Sequence, residues 1–301
     1  MNRNILLFVY LLVVSLGMTA CSMKINTSPD AVTIPAAKPK LQAAKKSFKD
    51  RQQAASQIPP VLGGLVQSDS WVIYKDKQQE EFKGHVSYDN GHYTFRADYA
   101  LSDRARNRFT ARGNVFLRQQ AEDGTIYEAY ANRAVFNYKT QKGQLYGSEK
   151  QPVKLIYISP KQQTVTATAE NADFDLAEQI FILQKNVHIE RPTETGLQIL
   201  TAQKATFKQI QEYAILEGDA TLTDGSRTLL AETIIYDGQN NTSYAYGARP
   251  LAYGTTEQGT FAIIADKVQS DNEGHKILLD GQVQGWLVSP QINDSSVNSK
   301  F

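Results

Sequence analysis

Apolar and polar residues alternate along most of the chain, from roughly Ser68 to Val288. In one stretch Phe181, Leu183 and Val187 share a phase, while His188 lies in the opposite phase. Alternation over eight or more residues is the period of a β-strand with one buried face. A 3.6-residue pattern is missing from this region, which argues against helical repeats. The pattern therefore predicts an all-β fold.

One short unit recurs throughout this region. Six segments share the pattern Ala-x-x-apolar-x-apolar, with serine at the last position in the first and the sixth, and they begin at Ala97, Ala131, Ala169, Ala202, Ala231 and Ala265. Sixteen residues after these alanines, five of the six positions are glycine, and the exception is Lys185. A seventh, degenerate unit leads from Ser68 to Gly84. The spacing is constant inside the units and variable between them, which indicates rigid units joined by variable loops.

The alternating strands change phase by one residue near their middle. Leu200 and Ala202 are in step, and so are Ala205 and Phe207, but the two pairs lie three residues apart. Such a shift is typical of a β-bulge or a corner, and a mid-strand glycine suits a sharp bend or a close backbone approach. Hairpin signals such as Asp123-Gly124 separate the strands. We expect about fourteen antiparallel strands in series, bent into an elongated, folded-over sheet with an interior between two leaves.

The beginning of the chain has the pattern of an export signal. Arg3 precedes the apolar run 5–18, and small residues lead to Cys21. This arrangement resembles the lipobox of bacterial lipoproteins, which implies a lipid on Cys21 as the first residue of the mature chain. An uncleaved signal anchor is the alternative, because the apolar stretch extended to Met23 nearly spans a bilayer. By the sorting pattern of enteric lipoproteins, Ser22 favours the outer membrane over the inner one.

These features divide the chain into four parts. We predict a lipoprotein signal peptide at 1–20, a lipidated tether or linker at 21–67, the β-repeat domain at 68–288 and a disordered tail at 289–301. The tether is rich in proline and lysine, which is typical of a solvated linker. A short basic helix lying on anionic lipid headgroups is the alternative for this segment.

Composition removes several functional classes. The 32 Lys and Arg residues balance the 31 Asp and Glu residues, so no basic field suggests nucleic acid as a partner. The four histidines have no metal-ligand spacing, and no phosphate loop or G-x-S-x-G motif is found. We therefore predict a protein without catalytic residues, cofactor or metal. Carboxylates such as Asp98 and Asp173 recur with the repeat and suggest a structural role beside turns, although a sugar-cleaving pair stays open.

The repeated phrases are similar to those of a known family. They are Ala97-Asp98-Tyr99 with 112–117, 169–175 with 186–189, 216–220, and 265–268 with 280–283. They resemble the OstA-like family of lipopolysaccharide-transport proteins, which includes LptA, LptC and the N-terminal domain of LptD. The resemblance covers nearly all of 68–288. A lipid anchor on a seven-unit body matches neither LptA, which is soluble, nor LptC, which has a transmembrane helix.

The resemblance implies a bent β-jellyroll, or β-taco, in the periplasm, whose interior shields the acyl chains of lipopolysaccharide. It also implies other OstA-like or Lpt proteins as partners, joined by edge-strand pairing, and a membrane-bound lipoprotein facing the periplasm. Without the resemblance, alternation equally fits a structural or assembly lipoprotein with a filled β core. The groove candidates are Val115, Leu117, Phe136, Phe174, Leu183, Val187, Ile189, Phe207, Leu216, Leu222, Tyr236, Leu279 and Val283.

Overall fold

The chain forms one antiparallel sheet. The computed structural model describes residues 64–288, apart from 122, 149, 176, 194–195, 209–210, 241, 257–258 and 272–275. These residues form a 20-stranded sheet, so the predicted all-β class is confirmed. The predicted signal peptide, Cys21, most of the tether and the tail lie outside the described residues. Within the described ranges, no helix is long and apolar enough to cross a membrane.

The strands follow one another in chain order. They are β1 Leu65–Gln67, β2 Ser70–Tyr74, β3 Gln79–Asp89, β4 Tyr93–Asp103, β5 Arg108–Gln120, β6 Ile126–Asn137, β7 Lys142–Tyr146, β8 Val153–Ile158, β9 Thr164–Ala169, β10 Asn171–Asp175, β11 Ile180–Thr193, β12 Gly196–Lys208, β13 Tyr213–Asp224, β14 Arg227–Asp237, β15 Thr242–Tyr246, β16 Leu251–Thr256, β17 Gly259–Ile264, β18 Lys267–Asp271, β19 Ile277–Asp280 and β20 Gln284–Val288. Strand β1 begins ahead of Ser68, inside the segment assigned to the tether.

The twenty strands correspond to fourteen bent strands. Strands β3 to β6 and β11 to β14 are continuous, and the other twelve form six pairs that are each interrupted at the bend, such as β7 with β8. This matches the expected series of about fourteen strands.

The bends divide the sheet into two leaves. Leaf 1 contains β2, β7, β10, β15, β18 and β19, and leaf 2 contains β1, β8, β9, β16, β17 and β20. Each long strand contributes one half to each leaf. Because neighbouring strands lie about 4.8 Å apart, fourteen strands give each leaf a length of about 60 Å.

The line along which the leaves meet is built from one repeated contact, which we call the corner. In β5, Gly113 and Asn114 both have left-handed backbones, with φ of 72° and 48°. They lie opposite the single residue Asn132 of β6, at a shift in register. A Cβ on Gly113 would overlap the Asp98 carboxylate, and Asn114 Nδ2 donates to Asp98 Oδ2 at 2.9 Å. The sixteen-residue step is therefore the separation along the chain between two residues that meet at one corner, as Asp98 and Asn114 do.

The same contact recurs where the sequence departs from glycine. Lys185 has a φ of 64° and lies 3.2 Å from Glu170, while Asn186 donates to Glu170 at 2.9 Å. An ion pair with the corner carboxylate thus accompanies the lysine that replaces glycine. The structural role proposed for Asp98 fits this geometry. Asp173 lies elsewhere, inside β10, and accepts hydrogen bonds from Gln144 and Gln184.

The first corner allows a direct test by titration. His85 Nδ1 lies 2.8 Å from Asp69 Oδ2, and this hydrogen bond raises the pKa of His85 above 6.5. Because the pair is charged only when His85 is protonated, it weakens as the pH rises through that pKa. We expect Asp69→Asn to lower the pKa of His85, measured from imidazole chemical shifts by NMR. An unchanged pKa in this variant would show that the corner contact is absent in solution.

Candidate functional site

The interior between the leaves is lined by rows of apolar side chains that run across the strands. In leaf 1, register pairs Phe82 with Ala100, and the row continues through Leu145 and Leu183 to Leu216. It ends at the pair Val268 and Leu279 of β18 and β19. Every residue that forms part of this row is apolar. Since inward positions alternate with outward ones, the row faces the opposite leaf.

Leaf 2 carries a matching row. Register joins Tyr88 to Phe95, Phe95 to Leu117, and Leu117 to Ala129. Further along the sheet the row passes through Ile189, Leu200, Leu222, Leu229, Ala252 and Ile263. The two rows give the interior an apolar lining over nearly the whole length of the sheet.

The interior is tightly closed at one end. We call the part formed by β3 to β6 the closed end. Tyr88 and Phe95 are 0% exposed there. Phe95 of leaf 2 meets Phe109 of leaf 1 edge-on, with ring centroids 5.6 Å apart. Because the two leaves touch here, no space remains for a ligand at this point.

Polar groups at the rim of the closed end are buried as well. Gln119 Nε2 donates to the Tyr93 hydroxyl at 3.2 Å, and both side chains are at most 9% exposed. Burial raises the pKa of Tyr93, and it raises the pKa of Tyr138 to about 12. The Tyr138 hydroxyl lies 3.2 Å from Ser102 Oγ. Water is therefore largely excluded from this rim.

A stack of phenylalanines follows in leaf 1. Phe174 lies between Phe136 and Phe181, with centroids 6.0 Å and 6.1 Å from its neighbours and nearly parallel rings. Gly143 lies in register between Phe136 and Phe174, and a Cβ there would overlap the Phe174 ring. The glycine therefore makes room for the stack.

The interior opens toward the other end. We call the part formed by β12 to β17 the open end. Several apolar side chains that pack against the core are only partly buried there, namely Leu200, Phe207, Leu222 and Leu229. The Tyr236 side chain is 36% exposed. Apolar side chains at the open end thus remain accessible between the leaves. An accessible, continuous apolar lining can hold a hydrocarbon chain without any chemical step.

The structure places the predicted groove residues as follows. Leu279 pairs with Val268 and is half-buried, while Val283 lies between β19 and β20 and is 48% exposed. Tyr236, Phe207 and Leu222 line the open end. The remaining candidates are buried in the interior, namely Val115, Leu117, Phe136, Phe174, Leu183, Val187, Ile189 and Leu216.

Several interior residues are absent from the predicted set. Phe95 and Tyr88 fill the closed end, and Leu200 and Leu229 line the open end. All of them lie in the apolar phase of their strands, so the alternation of apolar and polar residues is the one feature of the sequence that indicated their inward position. Cross-strand register, which the sequence does not give, shows that they form one row.

Across the described ranges, no group of three or more His, Cys, Asp and Glu side chains is arranged to hold a metal. The chemistry that the lining supports is burial of apolar groups.

The first part of this sheet matches a known protein family. Residues 65–152 match the family described as LptA/(LptD N-terminal domain) LPS transport protein. The resemblance to the OstA-like family is confirmed. The match covers β1 to β7, and the later strands continue the same repeat in the same sheet. Because this is a family of transport proteins without enzymatic activity, the prediction that the chain is not an enzyme is confirmed too.

Other comparisons are more distant. Among solved structures, the chain is similar to LptH from Pseudomonas aeruginosa, described as the LptA-homologous periplasmic component of its lipopolysaccharide transport device. The identity is 19% and the TM-score 0.32, over 39% of this chain and 78% of LptH. No curated protein matches the chain.

Proposed function

We propose that this protein is a lipopolysaccharide-binding transport protein of the periplasm, which shields acyl chains between its two leaves. The observation that carries the proposal is the apolar lining that stays accessible at the open end, at Leu222, Leu229 and Tyr236. Each buried methylene of an acyl chain gains about 0.8 kcal/mol relative to water. A lining of this kind holds chains firmly without selecting one shape. The family matched by residues 65–152 supports lipopolysaccharide as the cargo.

The ends of the sheet support a place in a larger bridge. Among the described residues, β1 and β2 pair only with β3, and β20 pairs only with β17. These terminal strands expose large apolar side chains, with Trp71 at 49% and Leu287 at 64%. Unpaired edges offer backbone donors and acceptors to a further strand. We propose that other OstA-like or Lpt proteins join the chain at these edges.

The membrane attachment is a separate part of the proposal. The lipobox-like segment before Cys21 supports a lipid anchor, and Ser22 supports delivery to the outer membrane. A lipid anchor would hold the open sheet at the membrane surface and would keep the apolar ends of the domain in the periplasm.

A structural or assembly role is the second candidate. The closed end favours it, because Tyr88 and Phe95 are fully buried and the leaves touch there. In that role the interior would be a filled core, and only the terminal strands would recruit partners.

Photo-crosslinking tests the proposed function. With a photoreactive residue at Leu222 or Leu229, we expect capture of lipopolysaccharide in cells, because these side chains line the open end. Thr221 is the matched control, since it precedes Leu222 on the outward face of β13 and should not be labelled. Crosslinked adducts are detected by blotting for lipopolysaccharide. Equal labelling of both faces, or none at either, would support the structural role instead.

A further inference from the structure

A second groove lies on the outer face of leaf 2, beside the corner. Its volume is about 970 Å³. Register places Arg96 beside Phe116, Phe116 beside Tyr130, and Tyr130 beside Lys154 across four strands. These positions alternate with the buried residues that line the interior, so their side chains point away from it. We call this the corner groove.

One wall of the corner groove is a local departure from the repeat. In β5 the bend contains two left-handed residues, whereas between β7 and β8 the chain runs through 147–152. Ser148 and Gln151 exchange backbone hydrogen bonds of 2.7 Å and 3.1 Å, which bring these two residues together in a turn. Lys150, Gln151 and Pro152 of the turn line the groove.

The floor of the corner groove is aromatic. The rings of Phe116 and Tyr130 lie 5.0 Å apart between centroids, and Tyr130 is 38% exposed. The Tyr130 hydroxyl donates to Glu128 Oε2 at 2.8 Å, which fixes the ring. The guanidinium of Arg96 lies over the Phe116 ring, 5.6 Å from its centroid. The floor therefore presents rigid ring surface beside an oriented cation.

The charges around this floor are mainly positive. Arg96, Lys150 and Lys154 line the groove, and within the described part of the chain none has a carboxylate within ion-pair distance. Among the described lining residues Asp98 is the carboxylate, and it accepts a hydrogen bond from Asn114. Glu128 lies beside the floor, where it accepts from Tyr130 and lies 3.8 Å from Arg118. Cations without carboxylate partners, beside the exposed Tyr130 ring and the half-buried Phe116 ring, suit an anionic ligand that also has a flat apolar face.

We propose that the corner groove binds a saccharide that carries phosphate or carboxylate groups. The C–H face of a sugar ring would lie against Phe116 and Tyr130, with one anionic group held by Arg96 and a second one by Lys154. These two cations are three strand spacings apart, about 14 Å, which accommodates a short oligosaccharide rather than an extended polymer. The groove faces away from the interior, so this site is independent of acyl-chain binding between the leaves.

Titration calorimetry with an acyl-free probe tests this site on the full-length chain in a mild detergent. The probe is a bisphosphorylated glucosamine disaccharide. We expect it to bind, and we expect Lys154→Gln and Phe116→Ala each to weaken binding about tenfold, the effect of losing a charge-assisted hydrogen bond or a stacking surface. Phe116→Leu, which retains an apolar side chain, should weaken binding similarly without disturbing the fold, as checked by circular dichroism. Lys161→Gln, in the exposed turn after β8, is the matched control and should leave binding unchanged.

Four results would overturn the proposal. They are no binding of the probe, equal binding of the unphosphorylated disaccharide, equal binding of inorganic phosphate, and no effect of either Phe116 variant. Tighter binding of an acidic peptide or an oligonucleotide would assign the groove to a different class of ligand. Because the probe has no acyl chains, failure here leaves the crosslinking test of the interior unaffected, and failure there leaves this test intact.

Discussion

Replacing Phe95 by alanine should lower the free energy of unfolding by about 4 kcal/mol, the range for a phenylalanine in a rigid core. Phe95 is 0% exposed and meets Phe109 of the opposite leaf, so its removal leaves a cavity that neither leaf can fill. Phe207 is the matched control, because it has the same side chain at the open end and is only partly buried. Phe207→Ala should cost about 1–2 kcal/mol. Urea unfolding of both variants measures the difference.

The same pair of variants separates packing from cargo binding. A ligand that binds only the folded protein raises its stability. Added lipopolysaccharide should therefore stabilise the wild-type chain and Phe95→Ala by similar amounts, and Phe207→Ala by less. If both phenylalanine changes cost the same, the distinction between the closed and open ends would be wrong. If lipopolysaccharide stabilised none of the three proteins, the filled-core role would be favoured.

Gly143→Ala should destabilise the chain by about 3 kcal/mol, although it adds only one methyl group. The new Cβ would overlap the Phe174 ring, which is held between Phe136 and Phe181. An overpacked core must shift its backbone or its rotamers, which typically costs 1–3 kcal/mol. Thermal unfolding followed by circular dichroism measures the change.

Two controls isolate this steric cause. Gly285→Ala places a Cβ no closer than 3.7 Å to its neighbours, which is ordinary contact, so it should be nearly neutral. In a Phe174→Ala background the ring is gone, and Gly143→Ala should add no measurable cost. A large additional loss in that background would mean that Gly143 is required for its backbone and not for the room it gives to the stack.

Much of the architecture follows from the sequence because successive side chains point to opposite faces of a strand. A strand with one buried face therefore shows apolar residues at every second position. The phase shift between Ala202 and Ala205 and the glycine sixteen residues later predicted a bend in each strand, and the corner at Asp98 and Gly113 is that bend. The pattern could not show which strand carries the extra residue. That depends on pairing between strands, and the structure places the two left-handed residues on the glycine side.

The candidate sites were predictable to different degrees. Inward residues such as Leu183 and Leu222 lie in the apolar phase, so the lining could be assigned strand by strand. Its division into a closed and an open end could not, because Phe95 closes the interior by touching Phe109 across the leaves. The corner groove was missed altogether. Arg96, Phe116 and Lys154 are neighbours only through register, and each alone has the pattern of an ordinary outward side chain.

The corner also separates two properties that most folds tie together. Each of the corner contacts described above joins a strand only to the next one, as Asp98 with Asn114 and Glu170 with Asn186 do. The length of the interior is therefore determined by the number of units, whereas the space between the leaves depends at each point on the local side chains, such as Phe95 and Phe109 at the closed end. A chain of this kind can gain or lose a whole hairpin without disturbing the corners of the other units, so the distance it bridges is adjustable independently of what fits between its leaves.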